Sequence, residues 1–437
     1  MRFRASDVAR DTGGRLVGPD VAIEGVSFDS RSVVPGQLFV PLVDQRDGHD
    51  FIESAVGRGA PAYLTSKPIW PGMPGTAIEV PDTLQALMRL AAARRDRSTA
   101  TVVGITGSVG KTSTKDLAWA ALAPSRRTWA NERSFNNDQG LPTTILNAPD
   151  DTEVMVLEMG MRGFGEITRL ADIARPSIGI VTRVAEAHSE RVGGIEGVAR
   201  AKSELVLALP PDGVAILNAD DPRVAAMARR SSAAVLLYGE TQGSHVRVRS
   251  VVLDHLARAS FAADTPWGEV YVRLGVSGRH MVSNAAAAIA CVGAVGGDLD
   301  AAVEALGQVR LTAMRMDVVR LRSGATVIDD SYNANPTSMR AAIDALAAVP
   351  ATRRLAVLGL MAEISDPERE HRGIHAYAAE RGVEVLAVAT DLYGVTPLPD
   401  AAAAVTAVGE LGEGDAVLVK GSRVAGLERV AAALIDS

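Results

Sequence analysis

The sequence predicts an α/β protein of three domains. Its 437 residues suit roughly three domains. In residues 98–311 and again in residues 312–437, short apolar runs rich in β-branched residues alternate with helix-like stretches. Residues 1–97 show a less regular mixture of strand-like and helix-like runs. Alternating strands and helices are typical of a parallel sheet with helices on both faces. We place the domains at residues 1–97, 98–311 and 312–437.

The first domain is predicted to be small and of α/β type. The runs GQLFVPLV (36–43) and PAYLT (61–65) indicate strands. The stretch TLQALMRLAAARRDR (83–97) has apolar residues at helical spacing and ends in arginines, as a helix C-terminus favours. This helix closes the domain.

The central domain is predicted to hold a mostly parallel sheet. The strand-like runs lie at 99–106, 153–159, 177–182, 213–218 and 234–239. Helix-like stretches at 114–123 and 196–209 separate some of them. Residues 245–276 instead alternate polar and apolar side chains, which predicts antiparallel strands.

The third domain repeats the alternation of strands and helices. Strands are predicted at 325–330, 354–360, 383–390 and 415–422, with helices at 337–349, 367–382 and 401–410. This pattern indicates a small doubly wound, Rossmann-like domain.

Composition excludes several classes of protein. The formal charge of −7 argues against a protein that grips nucleic acid by its phosphates. The first residues lack the apolar core of a signal peptide, and no stretch reaches the roughly 20 apolar residues of a membrane span. We therefore expect a cytoplasmic protein, and a monomer. The single cysteine, Cys291, lies in an apolar run and is expected to be a small buried residue.

The strongest local signal is the glycine-rich stretch GITGSVGKTSTK (104–115). It follows a predicted strand and opens a helix, which is the setting of a phosphate-binding loop. Gly107 and Gly110 allow backbone N–H groups to face phosphate oxygens, Lys111 can place a charge on the terminal phosphates, and Thr112 can offer a hydroxyl to Mg²⁺. The stretch has only the shorter pattern G-x-x-G-K-T, so a glycine-rich turn with an incidental lysine is the alternative.

Three further residues follow predicted strands or lie on a predicted helix of the central domain. Glu158 ends a strand, where a carboxylate could hold Mg²⁺; a solvated glutamate is the alternative. Considered alone, His188 would be a loop or core residue and Lys202 a solvated surface lysine. NADDP (218–222) considered alone would be a turn that begins a helix.

Taken in order, the motifs resemble those of the Mur ligases of bacterial cell-wall synthesis. They are GSVGKTSTK, SFNND, LEMG, AEAH, ARAKSE and LNADDP, and SFDSRSVVPGQLFVPL and DGHDF in the first domain resemble the family's UDP-substrate domain. DDSYNANPTSMRAA (329–342) and VLVKGSR (417–423) resemble the branch that joins D-alanyl-D-alanine to UDP-N-acetylmuramoyl-tripeptide. The resemblance implies an ATP-dependent, Mg²⁺-dependent ligase that works through an acyl phosphate.

The resemblance also implies a role for each matched residue. Catalytic roles fall to Lys111, His188 and Lys202. ATP would contact Gly107, Ser108, Val109, Gly110, Lys111, Thr112, Ser113, Asn284, Arg315 and Asp330. Two Mg²⁺ ions would be held by Thr112, Glu158, His188 and Lys202, the last as a carbamate. The UDP-linked substrate would contact Ser27, Ser30, Arg31 and Asn137.

The sequence departs from the family pattern at three positions. Where relatives usually read T-N-x-G before A-H, Arg183 and Ala185 stand here, and Leu360 stands where an acidic residue is common. Arg183 and Leu360 leave open a non-catalytic nucleotide-binding or scaffold protein that has kept the loop. Another amide ligase of the superfamily, such as a folate ligase, and a kinase are further alternatives.

Overall fold

The computed structural model describes residues 2–69, 72–132, 135–185, 192–362 and 364–436. The chain forms two compact units, one of residues 1–104, 126–161 and 165–177 and one of residues 105–125, 162–164 and 178–437. None of the helices built from the described residues combines the length and apolar character needed to cross a membrane.

The first unit contains a small mixed sheet with strand order β2-β7-β6-β5-β4, in which β2 is antiparallel and the others are parallel. A separate pair, β1 and β3, is antiparallel. The strands are β1 (Arg2–Arg4), β2 (Arg15–Val17), β3 (Ala22–Glu24), β4 (Val26–Ser27), β5 (Leu38–Phe39), β6 (Ala62–Thr65) and β7 (Thr76–Glu79). The predicted strand at 36–43 is only two residues long in the structure. Pro41, which cannot donate a ladder hydrogen bond, limits it on the C-terminal side.

Five α-helices are described in the first unit. They are α1 (Ala5–Thr12), α2 (Ile52–Gly57), α3 (Thr83–Asp96), α5 (Gly140–Asn147) and α6 (Glu166–Ala174). The predicted helix at 83–97 is confirmed as α3, and it starts because the Asp82 side chain accepts the Gln85 N–H at 2.9 Å. Its buried face includes Leu87, Leu90 and Ala91.

The boundary between the units falls inside β8 (Thr101–Thr106), so this strand belongs to both. In the first unit it lies beside β10 (Val154–Glu158), which pairs in parallel with β9 (Thr128–Ala130).

The larger sheet of the second unit has the order β8-β11-β12-β13-β14-β15-β16. Its strands are β11 (Ile178–Val181), β12 (Val214–Asn218), β13 (Ala234–Gly239), β14 (Val246–Leu253), β15 (Arg258–Thr265) and β16 (Gly268–Ser277). Neighbouring strands from β11 to β14 are parallel, whereas β14, β15 and β16 pair antiparallel. Both the parallel sheet and the antiparallel strands at 245–276 are confirmed.

The helices that accompany this sheet are α4 (Lys111–Leu122), α7 (Gly194–Leu207), α8 (Pro222–Ala226), α9 (Met281–Val295) and α10 (Leu299–Gln308). Cys291 lies on α9 with no exposed surface, as expected, and burial raises the pKa of its thiol to about 12. The thiol therefore stays protonated at neutral pH.

Residues 317–436 form the predicted Rossmann-like sheet, with order β17-β18-β21-β19-β20. Its strands are β17 (Asp317–Arg320), β18 (Thr326–Asp329), β19 (Arg353–Leu358), β20 (Glu384–Ala387) and β21 (Asp415–Lys420), and its helices are α11 (Pro336–Ala348), α12 (Pro367–Ala379), α13 (Ala401–Val408) and α14 (Glu428–Asp436). Four strands are parallel, and β17 adds an antiparallel edge that the sequence did not predict. Residues of α13 and α14 bury one face of this sheet, including Ala404, Val408 and Val430.

Candidate active site

The glycine-rich loop joins β8 to α4, and α4 begins at Lys111. Gly107 and Gly110 have φ values of 155° and 85°, a range that favours glycine. A Cβ on Gly107 would lie 1.8 Å from Thr182 Oγ1, so only glycine fits there. The Lys111 ammonium donates to the Gly107 carbonyl at 2.8 Å and so folds across the loop. A cradle of backbone with an adjacent cation at a helix N-terminus suits a phosphate group.

Residues 182–185 support the glycine loop through hydrogen bonds. Ser108 donates its N–H to the Arg183 carbonyl at 2.7 Å and its hydroxyl to the Ala185 carbonyl at 2.9 Å. Thr182 Oγ1 donates to the Val109 carbonyl at 2.6 Å. Since Arg183 and Ala185 contribute carbonyl groups here, their unusual side chains leave this support unchanged.

The motif NADDP (218–222) holds the same segment from its other side. Asn218 donates to the Thr182 carbonyl at 2.8 Å, and the Val184 N–H donates to Asp221 Oδ2 at 2.8 Å. The other oxygen of Asp221 caps α8. The motif does begin a helix, but its support of the glycine loop was missed. In the sequence, the one indication of this supporting role was that the motif directly follows a predicted strand.

Asn284, predicted to contact adenine, lies in the first turn of α9 next to the loop. A Cβ on Gly110 would lie 2.7 Å from Asn284 Oδ1, while Asn284 Nδ2 lies 3.6 Å from Met281 Sδ. Thr112 and Ser113 are buried in the first turn of α4. The structure thus brings Asn284 and Gly110 of the glycine loop together.

Glu158, in the first unit, ends β10 and is only 1% exposed. Its Oε1 accepts from Asn136 Nδ2 at 2.6 Å, and its N–H donates to Asn131 Oδ1 at 2.6 Å. Asn131 Nδ2 donates to the Phe135 carbonyl. The alternative of a solvated glutamate is wrong; Asn136 orients the carboxylate, and Asn131 holds the backbone of Glu158.

Lys202 lies on α7 and is 4% exposed, so the alternative of a solvated lysine is also wrong. His188 lies outside the described residues. Within the described part of the chain, no three side chains of His, Cys, Asp or Glu group together as ligands of one metal ion. The metal roles of Thr112, Glu158, His188 and Lys202 therefore stay predictions.

Of the predicted substrate residues, Ser27 ends β4, and Ser30 and Arg31 lie in the loop that follows it. Ser27 Oγ accepts the Asp29 N–H at 3.2 Å, and the Arg31 guanidinium binds both oxygens of Asp29 at 2.9 and 2.8 Å. The Arg31 hydrogen bond is the main reason why the pKa of Asp29 lies below its usual value. The ring of Phe28 meets that of Phe135, with centroids 5.7 Å apart.

Two more predicted substrate residues lie in the same unit. Ser30 is 9% exposed. Asn137 lies two residues after Phe135, and its Oδ1 accepts the N–H of Gly140, the first residue of α5, at 2.9 Å. The Phe28–Phe135 contact therefore joins the loop of Ser27, Ser30 and Arg31 to the loop of Asn137.

Arg315 and Asp330 lie at the beginning of the third predicted domain. The Arg315 guanidinium lies 4.3 Å from the ring centroid of Tyr332. Asp330 accepts from the buried Lys420 and from the Met316 N–H at 3.2 Å. The two side chains predicted to contact ATP are thus each held by other residues of the chain, Arg315 by Tyr332 and Asp330 by Lys420 and Met316.

Comparisons with known proteins place the whole chain in one family. Models described as the Mur ligase family catalytic domain, the Mur ligase middle domain and the Mur ligase glutamate ligase domain match residues 22–95, 105–292 and 314–423. The UDP-N-acetylmuramoyl-tripeptide–D-alanyl-D-alanine ligase of Mycobacterium tuberculosis is 40% identical, and the match covers 94% of this chain and 92% of the relative.

Solved structures agree with that comparison. A MurF crystal structure from Acinetobacter baumannii is 29% identical with a TM-score of 0.90, covering 100% of this chain and 99% of the other. MurF ligase from Thermotoga maritima in complex with ADP is 25% identical with a TM-score of 0.81, covering 94% and 97%. The predicted three-domain α/β fold is confirmed.

Proposed function

The chain belongs to the Mur ligase family, and we propose that it joins D-alanyl-D-alanine to UDP-N-acetylmuramoyl-tripeptide in an ATP-dependent reaction of cell-wall precursor synthesis. One observation carries this proposal: the 40% identity to a ligase of that name extends over 94% of the chain. The glycine loop and its support agree with the use of ATP. We also propose the domain limits 1–97, 98–311 and 312–437, a monomeric state and a cytoplasmic location.

The chemistry explains why ATP is needed. A carboxylate is a poor electrophile, because its leaving group would be an oxide. Transfer of the γ-phosphoryl group to the tripeptide carboxylate releases ADP and leaves an acyl phosphate. The amine of D-alanyl-D-alanine then attacks the acyl carbon, loses a proton and displaces phosphate. Because acyl phosphates hydrolyse easily, the site must exclude water while the intermediate exists.

The phosphoryl group would be clamped by the glycine loop. The Ser108 N–H already donates to the Arg183 carbonyl, so the backbone N–H groups of Val109, Gly110 and Lys111 would face the phosphate oxygens, and the N-terminus of α4 would add its positive dipole. Lys111 would exchange its bond to the Gly107 carbonyl for a bond to phosphate. Asn284 beside Gly110 would contact adenine, and Arg315 and Asp330 would reach the nucleotide from the third domain.

The oxygen donors in the sequence suit Mg²⁺, which prefers hydroxyl and carboxylate ligands. Thr112 and Glu158 are buried side chains of this kind, and Asn136 orients the Glu158 carboxylate. His188 and a carbamylated Lys202 would complete the set for two ions. When bound, Mg²⁺ neutralises charge on the transferring phosphoryl group.

The UDP end of the substrate would be seated by Ser27, Ser30 and Arg31, with Asn137 near the reacting carboxylate. The bidentate bond to Asp29 fixes the Arg31 guanidinium before substrate arrives. A preformed loop of this kind reduces the ordering cost of binding.

The test is a reaction of purified protein with ATP, Mg²⁺, the UDP-linked tripeptide and D-alanyl-D-alanine. Phosphate release should require both substrates, and mass spectrometry should detect the amide. Phosphate release without either substrate would indicate a plain ATPase, and a stable phosphorylated product would indicate a kinase. Lys111→Ala should reduce the rate by about 10²- to 10³-fold, while Arg372→Ala, which changes an exposed arginine of α12, should not.

The carbamate of Lys202 has its own test. Lys202→Ala should lose activity and regain part of it when short carboxylic acids are added, since they can replace the carbamate oxygens. An absence of rescue, in a variant that still binds ATP, would count against the carbamate.

A further inference from the structure

We propose that Lys420 and Ser422 are positioning residues that hold Asp330 and Arg315 in the orientation needed to contact ATP. This inference rests on the proposed function, in which those two residues reach the nucleotide. It gives a role to the motif VLVKGSR, which the sequence analysis left without one.

The first observation is the place of β21 in its sheet. It lies between β18 and β19 and is parallel to both. The carboxyl ends of the three strands therefore meet at one edge, which is the ligand-binding edge of sheets of this class. The turn at 420–422 lies between the loop at 329–335 and the loop at 359–362.

Lys420 fixes the loop at 329–335. Its side chain is 2% exposed, and a buried ammonium group must be paired. It forms an ion pair with Asp330 Oδ2 and donates to the Asn333 carbonyl at 2.8 Å. The other carboxylate oxygen, Asp330 Oδ1, accepts the Met316 N–H at 3.2 Å. With both oxygens engaged on different sides, the Asp330 carboxylate has one orientation.

Ser422 ties the two loops together. Its Oγ accepts the Ala362 N–H at 2.8 Å and lies 3.4 Å from the Ala334 carbonyl, to which it donates. The Ser422 N–H donates to the Leu360 carbonyl at 2.9 Å. The turn at 420–422 thus bonds to the loops on both sides of β21.

Arg315 depends on the same loop. It lies between Met314 and Met316, whose φ values of 64° and 53° are rare for residues with a side chain. Such a backbone persists only when its neighbours hold it. Here the Tyr332 N–H donates to the Met314 carbonyl at 3.2 Å, and Asp330 accepts the Met316 N–H.

Lys420 therefore acts on Arg315 through Asp330. If Lys420 loses its charge, Asp330 loses a partner and the bond to Met316 loosens. The Tyr332 ring, which lies 4.3 Å from the Arg315 guanidinium, belongs to the same loop. A buried ion pair adds little net stability compared with an apolar pair of similar size, so its orienting effect is the stronger reason for its presence.

The experiment measures binding of ATP with Mg²⁺ to the full-length protein by calorimetry. Lys420→Met should weaken the affinity by about 10- to 100-fold, as loss of an outer-shell partner commonly does. Ser422→Ala, which removes one hydroxyl, should weaken it by about 2- to 10-fold. Lys67→Met is the matched control, because Lys67 pairs with Asp47 outside the proposed nucleotide site, and it should bind ATP as the unmodified chain does.

A double variant separates positioning from general damage to the fold. If Lys420 acts through Asp330, then Asp330→Asn with Lys420→Met should bind ATP no more weakly than Asp330→Asn alone. Additive losses would overturn the inference, as would Lys420→Met with unchanged ATP affinity. If Lys420→Met fails to fold, the ATP affinities of the double variant and of Ser422→Ala decide whether the inference holds. An unmodified protein that does not bind ATP would overturn the proposed function itself.

Discussion

Replacing Gly110 by alanine should weaken ATP binding far more than the same change at Gly165. Both glycines are N-caps, Gly110 of α4 and Gly165 of α6, and their φ values are 85° and 79°. At Gly110 an added Cβ would lie 2.7 Å from Asn284 Oδ1, whereas no heavy atom of the described residues lies within 4 Å of a Cβ at Gly165. The pair therefore shares backbone strain and differs in one contact.

The expected free-energy losses follow from the backbone strain at both glycines and from the Asn284 contact at Gly110. An alanine in the left-handed region costs about 1–2 kcal/mol at either position. The contact with Asn284 adds about 1–3 kcal/mol, the usual range for an overpacked site. If the loop relieves that contact by moving away from its phosphate-binding shape, the dissociation constant of ATP rises by about 5- to 140-fold.

The assay is calorimetric titration of each variant with ATP and Mg²⁺, accompanied by urea unfolding. Gly165→Ala should lose unfolding free energy while its ATP affinity stays unchanged. Gly110→Ala should lose affinity as well. Equal ATP affinities in the two variants would refute the reasoning, because the Asn284 contact would then have no effect on the loop.

Two further predictions concern stability. The pKa of His371 is lowered, mainly by burial, so the folded protein takes up this proton at a lower pH than the unfolded chain, which takes it up below about pH 6.5. The unfolding free energy should therefore fall as the pH drops below that value. His371 Nε2 accepts the Met361 N–H at 2.9 Å, so His371→Gln keeps an acceptor but removes the titrating ring. The unfolding free energies measured in urea at about pH 7.5 and about pH 5.5 should therefore differ less in this variant than in the unmodified chain. An equal difference in unfolding free energy would contradict this prediction. Asp221→Ala should cost about 2–4 kcal/mol in the same assay, because it removes a helix cap and leaves the buried N–H of Val184 unsatisfied. Asp298→Ala, which removes a cap alone, should cost about 0.5–2 kcal/mol, and equal costs would exclude the Val184 contribution.

Local patterns predicted the elements of the fold well. Runs of β-branched residues and helical spacing depend on neighbours in sequence, and most predicted strands and helices agree with the structure to within a few residues. The edge strand β17 (Asp317–Arg320) was missed because its residues are only partly buried or exposed, so it lacks a continuous apolar run. The predicted strand at 36–43 was too long, and Pro41, which has no N–H to donate, limits β5 on its C-terminal side.

The site was predictable only in part, for a physical reason. The glycine loop is contiguous, so its pattern is visible in the sequence. Its support comes from residues distant along the chain: Ser108 and Ala185 are 77 residues apart, and their bond uses a backbone carbonyl that any residue provides. The same holds for Asn136, which reaches Glu158 from 22 residues away. Such partners carry no local signature.

Carbonyl contacts also weaken the case for a non-catalytic relative. The unusual residues are Arg183, Ala185 and Leu360, and that alternative was based on Arg183 and Leu360. The first two support Ser108 through their carbonyl groups, and Leu360 accepts the Ser422 N–H through its carbonyl at 2.9 Å. At all three positions the backbone makes the bond that shapes the loop, so a change of side chain leaves the geometry of the glycine loop and of the 420–422 turn in place.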